Sequence, residues 1–449
     1  MSKLAEHPAV KNFYENRSAE PPLQASKRIN SEWLKEMCLA MGADAVGFVD
    51  IDRESITEHK KDILDVYPRT KTVIVIASKM NRENVRAPFR NIANVEYHKT
   101  EDNLNEIGRK ISTKLLHKSV RSMNLSGAFP FEMERWADEG KIWLVALKPL
   151  AQEAGLGWMG HHRMVIHPKF GSAMFLNAIL IDTELTTYDK PLTHSPCIEC
   201  QLCVASCPTG AISADGHFDF SSCITHNYRE KLGGFSDWVE NIVQSKTVGD
   251  YRGRVSDSET LSMWQSLSSK ANTKCDYCMA VCPAGDDLLG DYLKDRKDYL
   301  ATVVKPHQKK EEKVYVLKGS DAEAYVAKRF PHKEVRRVGN GIRAASIEKF
   351  LEALPRLFQR GQSEGLTAVY HFSFTGNETA EATVTIKDKT ISVKNGHAGK
   401  ANLRVIADSG TWLKFLAKEK NIVLAIISRK IKVKGSPRLL LAFGKCFPS

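Results

Sequence analysis

The 449-residue sequence predicts an α/β and α+β multidomain protein. Three observations predict it. Helical and strand patterns alternate over residues 31–190, eight cysteines crowd between Cys197 and Cys282, and a β meander flanked by helices fills the last hundred residues. The length suits two or three domains with hydrophobic cores of their own. A hydrophobic fraction of 42% and a charged fraction of 26% exclude a collagen-like, mostly disordered or mostly membrane-embedded chain. No stretch approaches the ~20 apolar residues of a membrane-spanning helix. The N-terminus has no apolar secretory segment, so a cytoplasmic location is expected.

Residues 1–30 are polar, carry Pro21-Pro22 and read as an N-terminal arm. Ser31 caps a helix with Trp33, Leu34, Met37, Cys38, Leu39 and Met41 on one face, and Gly42 ends it. Ala45–Val49 and Thr72–Ala77 are apolar runs of strand length. Leu104, Ile107, Ile111 and Leu115 mark an amphipathic helix over 102–118, and strands are expected at 142–147 and 173–182. Residues 191–300 have few apolar runs and are organised by their cysteines. In 301–345 the run HQKKEE at 307–312 reads as an exposed connector, with a strand at Val314–Leu317 and a helix at Asp321–Phe330. From Ile347 a helix leads into a meander over Val369–Val393, a strand at 402–406, a helix at 409–419 and a strand at 430–434.

The formal charge of +12 is unevenly spread: residues 301–449 carry +15 and the first 300 carry −3. Lys430, Lys432 and Lys434 alternate along one strand face. Such a stripe attracts phosphates weakly and without specificity, and no RNA-binding motif accompanies it, so no specific nucleic acid is expected. An anionic membrane surface or an acidic electron donor suits the same field.

Reduced cytoplasmic thiols in a dense group point to metal binding rather than disulfides. The first motif is Cys197-x2-Cys200-x2-Cys203-x3-Cys207-Pro208, the bacterial ferredoxin run, in which three closely spaced thiolates hold one iron–sulfur cube and the fourth reaches another. The second, Cys275-x2-Cys278-x3-Cys282-Pro283, is one ligand short, and Cys223 supplies the eighth thiolate. By the crossover rule Cys197, Cys200, Cys203 and Cys282 hold one [4Fe-4S] cluster, and Cys207, Cys223, Cys275 and Cys278 the other. Structural zinc is the competing reading of CxxC pairs, but three cysteines followed by Cys-Pro make a poor zinc pattern. Cys38 and Cys446 read as buried structural residues. Two adjacent clusters pass single electrons inward from an external low-potential donor.

Before the cysteines stand Pro149–Gly160 (PLAQEAGLGWMG), His161-His162-Arg163 and His167-Pro168-Lys169-Phe170-Gly171-Ser172, with Met41–Gly47 and Tyr97-His98-Lys99 upstream. With the eight-cysteine layout, this succession resembles the epoxyqueuosine reductase and reductive dehalogenase superfamily over about residues 31–300. The resemblance implies a cobalamin-binding reductase domain at 31–190 and a ferredoxin-like two-cluster module at 191–300. Electrons would pass through the clusters to cobalamin for reduction of a small apolar substrate. By the same resemblance Gly155, Gly157, Trp158 and Gly160, with His161 beside them, lie against the corrin. Epoxyqueuosine reductases place a catalytic Asp where Lys141 stands here, with Asp138 and Glu139 out of register, and their helical-repeat tail is missing. Both departures argue against epoxyqueuosine itself as substrate. Reductive dehalogenases use a Tyr with basic partners, which makes Tyr97 and Lys141 the catalytic candidates. Lys141 is either a proton donor or a solvated charge, and His161 and His162 either line a pocket or lie at the surface.

Residues 346–449, after a charged connector at 301–345, resemble the sterol-carrier-protein fold. The resemblance rests on the meander Tyr370–Val393, Ala401–Asp408 entering a helix, and the tail Arg429–Ser436 with Leu439–Phe443. It implies a small α+β unit with an apolar tunnel for a lipid-like ligand. Trp412, Phe415, Leu416, Ile422, Val423, Ile426, Leu440 and Phe443 either line that tunnel or form the core. Two other functions remain open: an electron-transfer or accessory protein without corrinoid, and a tRNA-modifying enzyme like epoxyqueuosine reductase.

Overall fold

The computed structural model describes residues 4–15, 28–133, 143–270, 272–339 and 343–448. The first layer is helix α1 (Ser31–Ala40), whose cap is Asn30 rather than Ser31: the Asn30 side chain accepts the Trp33 N–H at 2.8 Å. Strand β1 (Ala45–Asp50) follows, then α2 (Thr57–Val66), β2 (Thr72–Lys79), the long α3 (Arg90–Leu116), β3 (Ser122–Asn124), α4 (Leu147–Glu153) and β4 (Met174–Ile181). The strands form one antiparallel sheet in the order β1-β2-β4-β3. Alternate residues serve opposite faces. Val49, Val73, Val75, Ala178 and Leu180 pack on α2 and α4 through Ile63, Leu150 and Ala151. Phe48, Ile74, Ile76 and Ile179 pack on α1 and α3 through Leu34, Cys38, Leu104, Ile107 and Ile111. With helices on both faces, the strands read as continuous apolar runs. Of the strand expected at 142–147, residue 142 lies outside the described residues and 143–147 form none. Trp143 and Leu144 stay exposed, and the chain turns into α4 at Leu147.

The cysteine segment is built from short helices: α5 (Leu202–Ser206), α6 (Phe220–Asn227), α7 (Leu232–Gln244), α8 (Asp257–Ser269) and α9 (Tyr277–Ala280). Beyond it, β5 (Lys313–Val316), α10 (Asp321–Arg329) and β6 (Glu334–Arg337) make a small parallel unit. The 307–312 run is not an exposed connector. His307 and Lys333 are buried. Arg90 of α3 bonds Asp276 at 3.1 Å and Glu312 at 3.1 Å, Lys333 bonds Glu312 at 3.4 Å, and the Tyr277 hydroxyl also bonds Glu312. Burial of these charges is offset because each meets a partner from another part of the chain, which the local charge run does not disclose.

The C-terminal unit opens with α11 (Ile347–Leu357), continues through β7 (Ala368–Thr375), β8 (Ala380–Lys387), β9 (Thr390–Asn395), β10 (Leu403–Asp408), α12 (Ser409–Leu416), α13 (Ile422–Ile427) and β11 (Ile431–Gly435), and ends in α14 (Pro437–Lys445). The sheet order is β9-β8-β7-β10-β11, with β7 and β10 parallel and the other pairs antiparallel. Tyr370, Phe372 and Phe374 alternate inward and meet Phe350, Trp412 and Phe443 in one aromatic core. Of the residues expected in a tunnel or core, Trp412 and Phe443 are buried, whereas Val423 and Ile426 of α13 are exposed. Among the described residues, no helix is long and apolar enough to cross a membrane.

Candidate metal centre

The loop through the first motif is shaped by two non-glycine residues in the left-handed region, Glu199 at φ 53° and Gln201 at φ 57°. Each side chain there carries a steric cost, and the pair reverses the chain on either side of Cys200. Cys203 lies on α5, Cys223 on α6 and Cys278 on α9, while Cys275 and Cys282 flank α9. All ten cysteines are free, and Cys38 and Cys446 stay buried elsewhere.

The mutual effects of the thiols divide the eight into two groups of four. Burial is the largest influence on every shifted member. Cys203 is pushed up to about 12, with Cys282, Cys200 and Cys197 adding to burial. Cys282 is pushed up to about 11, with Cys200 and Cys197 adding, although the Ala284 N–H and the Ser172 side chain bond to it. Cys200 is raised too, with Cys197 adding and the Leu202 N–H opposing. In the other group Cys223 is raised by burial, Cys207 and Cys275; Cys275 by burial, Cys278 and Cys207; and Cys278 by burial, Cys223 and Cys207. Cys278 also feels Cys203, so the two groups are neighbours. Cys282 of the second motif thus stands with the first three cysteines, and Cys207 of the first motif with the second set.

The donor set fits iron–sulfur clusters. Thiols that raise one another this way cannot share a buried site as thiolates without cations among them. Among the described residues, no three His, Cys, Asp or Glu side chains are placed to hold a metal ion. Cys197, Cys200, Cys203 and Cys282 line a small hollow of about 20 Å³, shared with His161, His162 and Ile166.

Gly155, Gly157 and Gly160 each lack room for a side chain. A Cβ on Gly155, where φ is +70°, would stand 2.6 Å from the Lys190 carbonyl oxygen; one on Gly157 would stand 2.5 Å from that of Ile166; and one on Gly160 would meet Ile166 Cδ1 at 2.5 Å. The chain's own atoms fill the space, so a close approach within the protein accounts for these glycines. Trp158 is half-buried in a two-residue ribbon, Trp158–Met159 against Val165–Ile166. His161 bonds the Ser213 carbonyl oxygen at 2.8 Å through Nε2. Tyr97 is buried on α3, its hydroxyl on Met279 Sδ at 3.8 Å and its ring edge-on to Phe175. Burial, with Asp276 and Cys278 adding, holds its hydroxyl well above the usual tyrosine range. Lys141, with Asp138 and Glu139, lies outside the described residues.

Two groups near the thiols went unassigned in the sequence. Lys148 of α4, lowered by burial, stands near Cys223 and Cys278 and donates to the Arg163 carbonyl oxygen at 2.8 Å. Ser172 closes the conspicuous Pro168–Ser172 run, a signal that could have marked it.

Residues 348–448 match the SCP-2 sterol transfer family. An epoxyqueuosine reductase of Aliivibrio fischeri is 29% identical over 189 residues, 42% of this chain and 39% of that protein. One of Vibrio cholerae is 42% identical over 79 residues, 18% of this chain and 21% of that protein. The chain therefore spans less than half the length of these curated relatives. Among solved structures, an epoxyqueuosine reductase with an epoxyqueuosine-modified tRNA-Tyr stem loop aligns at a TM-score of 0.34 and 19% identity, covering 45% of this chain and 57% of that one. The chain carries an SCP-2 sterol transfer domain and, besides it, a stretch similar to epoxyqueuosine reductases.

Proposed function

We propose that the protein is an iron–sulfur oxidoreductase with two [4Fe-4S] clusters, one on Cys197, Cys200, Cys203 and Cys282 and one on Cys207, Cys223, Cys275 and Cys278. The observation that supports the reading is that Cys282 lines one hollow with Cys197, Cys200 and Cys203, while Cys207 packs with Cys223 and Cys278. When bound, the clusters supply one-electron transfer from an external low-potential donor. The residues around them bury the sulfurs and donate to them. Tyr97 and Lys141 remain the acid candidates, and Tyr97 keeps its proton at neutral pH because its surroundings disfavour the phenolate.

Cobalamin, implied by resemblance to the reductase superfamily, is the proposed electron acceptor, but no contact with it is assigned to Gly155, Gly157 or Gly160. The substrate is a small apolar molecule that the SCP-2 domain helps capture. Anaerobic reconstitution with iron and sulfide tests the core of the proposal: about eight irons per chain are expected. Hydroxocobalamin added to that protein should change its visible spectrum. Eight irons without corrinoid uptake leaves the electron-transfer reading and removes the corrinoid one.

The sequence similarity to epoxyqueuosine reductases favours a second reading, a tRNA-modifying reductase. It requires tRNA binding that survives moderate salt.

A further inference from the structure

His162 is 4% exposed. Its Nδ1 accepts the Met164 N–H at 3.1 Å, so the ring proton sits on Nε2. That Nε2 is fully buried and has no hydrogen-bond partner among the described residues. A buried donor without an acceptor is rare enough to call for an explanation. The ring also lines the hollow shared by Cys197, Cys200, Cys203 and Cys282. The ring packs tightly on Gly160, where a Cβ would stand 2.9 Å from His162 Cε1.

We propose that His162 Nε2–H donates a hydrogen bond to a sulfur of the cluster held by Cys197, Cys200, Cys203 and Cys282, making His162 a positioning residue that sets this cluster's reduction potential. The inference rests on the two-cluster reading above. A donor to sulfur favours the more electron-rich reduced cluster and so raises its potential. The Leu202, Val204 and Ala284 N–H groups and Ser172 already serve individual cysteine sulfurs of this group. Of the two histidines on the hollow, His161 spends its Nε2 on the Ser213 carbonyl oxygen, and His162 Nε2 is left without a partner among the described residues.

The test uses the full chain, reconstituted anaerobically, as wild type, His162→Leu and His162→Gln. Iron is counted and each cluster is titrated by EPR. The expected result is unchanged iron, a lower potential for one cluster only in His162→Leu, and recovery toward wild type in His162→Gln, whose amide restores a donor. Full iron with both potentials unmoved in His162→Leu overturns the inference while leaving the cluster reading intact. Wild-type protein that takes up no iron overturns both. If His162→Leu fails to fold or hold iron, wild type labelled with 15N-histidine decides: a 15N coupling on a reduced cluster supports the bond, and its absence overturns it.

Discussion

Each thiol in the two groups is buried and raised by its neighbours, which makes the free-thiol array costly to ionise and gives iron the task of neutralising it. Cys38 and Cys446 are buried outside that array, pushed up to about 12 and about 11 by burial. In folded iron-free protein at pH 8, both should resist iodoacetamide, as mass spectrometry of the labelled peptides would show; rapid labelling of Cys38 would contradict its burial. His226 gives a pH prediction. It is buried, its Nδ1 accepts the Tyr315 N–H at 3.3 Å, and burial lowers its pKa to about 3. The unfolded chain takes up this proton near pH 6.5 and the folded chain only near 3, so stability falls as pH drops across that window, by about 1.4 kcal/mol per pH unit. His226→Gln, which keeps an acceptor but does not titrate, should flatten this acid limb in denaturant melts at pH 4–6; an unchanged slope would remove His226 as the cause. At this scale the cysteines were legible because short loops fix ligand spacing. The glycines were legible as necessary, but nothing local reveals that Lys190 and Ile166 occupy the space beside Gly155 and Gly157.

The ribbon of Trp158–Met159 and Val165–Ile166 holds the His161-His162 turn against the hollow lined by Cys197, Cys200, Cys203 and Cys282. Gly157 lets its two arms approach. Gly157→Ala would drive a methyl into the Ile166 carbonyl, and the strain should cost about 1–3 kcal/mol in urea melts. A neutral result would mean that the ribbon yields. The main sheet strands and the C-terminal meander were legible because their apolar runs have strand length or alternate. Trp143–Leu147 was not, because an apolar run does not say whether a partner strand is available. Helix α13 was hidden for a related reason: Ile422, Val423 and Ile426 read as tunnel lining or core, yet Val423 and Ile426 face solvent. The 307–312 run misled in the opposite sense, because its partner Arg90 lies more than two hundred residues upstream.

The C-terminal domain sits directly behind one of the thiol groups. Asp219 caps α6, which carries Cys223, by accepting the Ser222 N–H at 2.9 Å, and Gln359 of the C-terminal region donates to the same carboxylate at 3.1 Å. Arg360 pairs with Asp215 at 2.9 Å. That pair is largely solvated, so Arg360→Ala should leave the urea midpoint nearly unmoved and iron content unchanged. Loss of iron would mean that docking of this domain shapes the site. The +15 of residues 301–449 acts over the whole molecule. Binding to unmodified tRNA should be weak and fall by orders of magnitude between about 50 and 200 mM salt; salt-resistant binding would favour the tRNA-modifying reading. The crossing of the two motifs is tested most directly by iron content in paired variants. Cys197→Ser with Cys282→Ser removes two ligands of one proposed cluster, whereas Cys275→Ser with Cys282→Ser removes one from each. The first pair should retain about four irons and the EPR signal of one intact cluster, and the second should lose both clusters. The reverse pattern, with both clusters lost in the first pair and one retained in the second, would contradict the crossing.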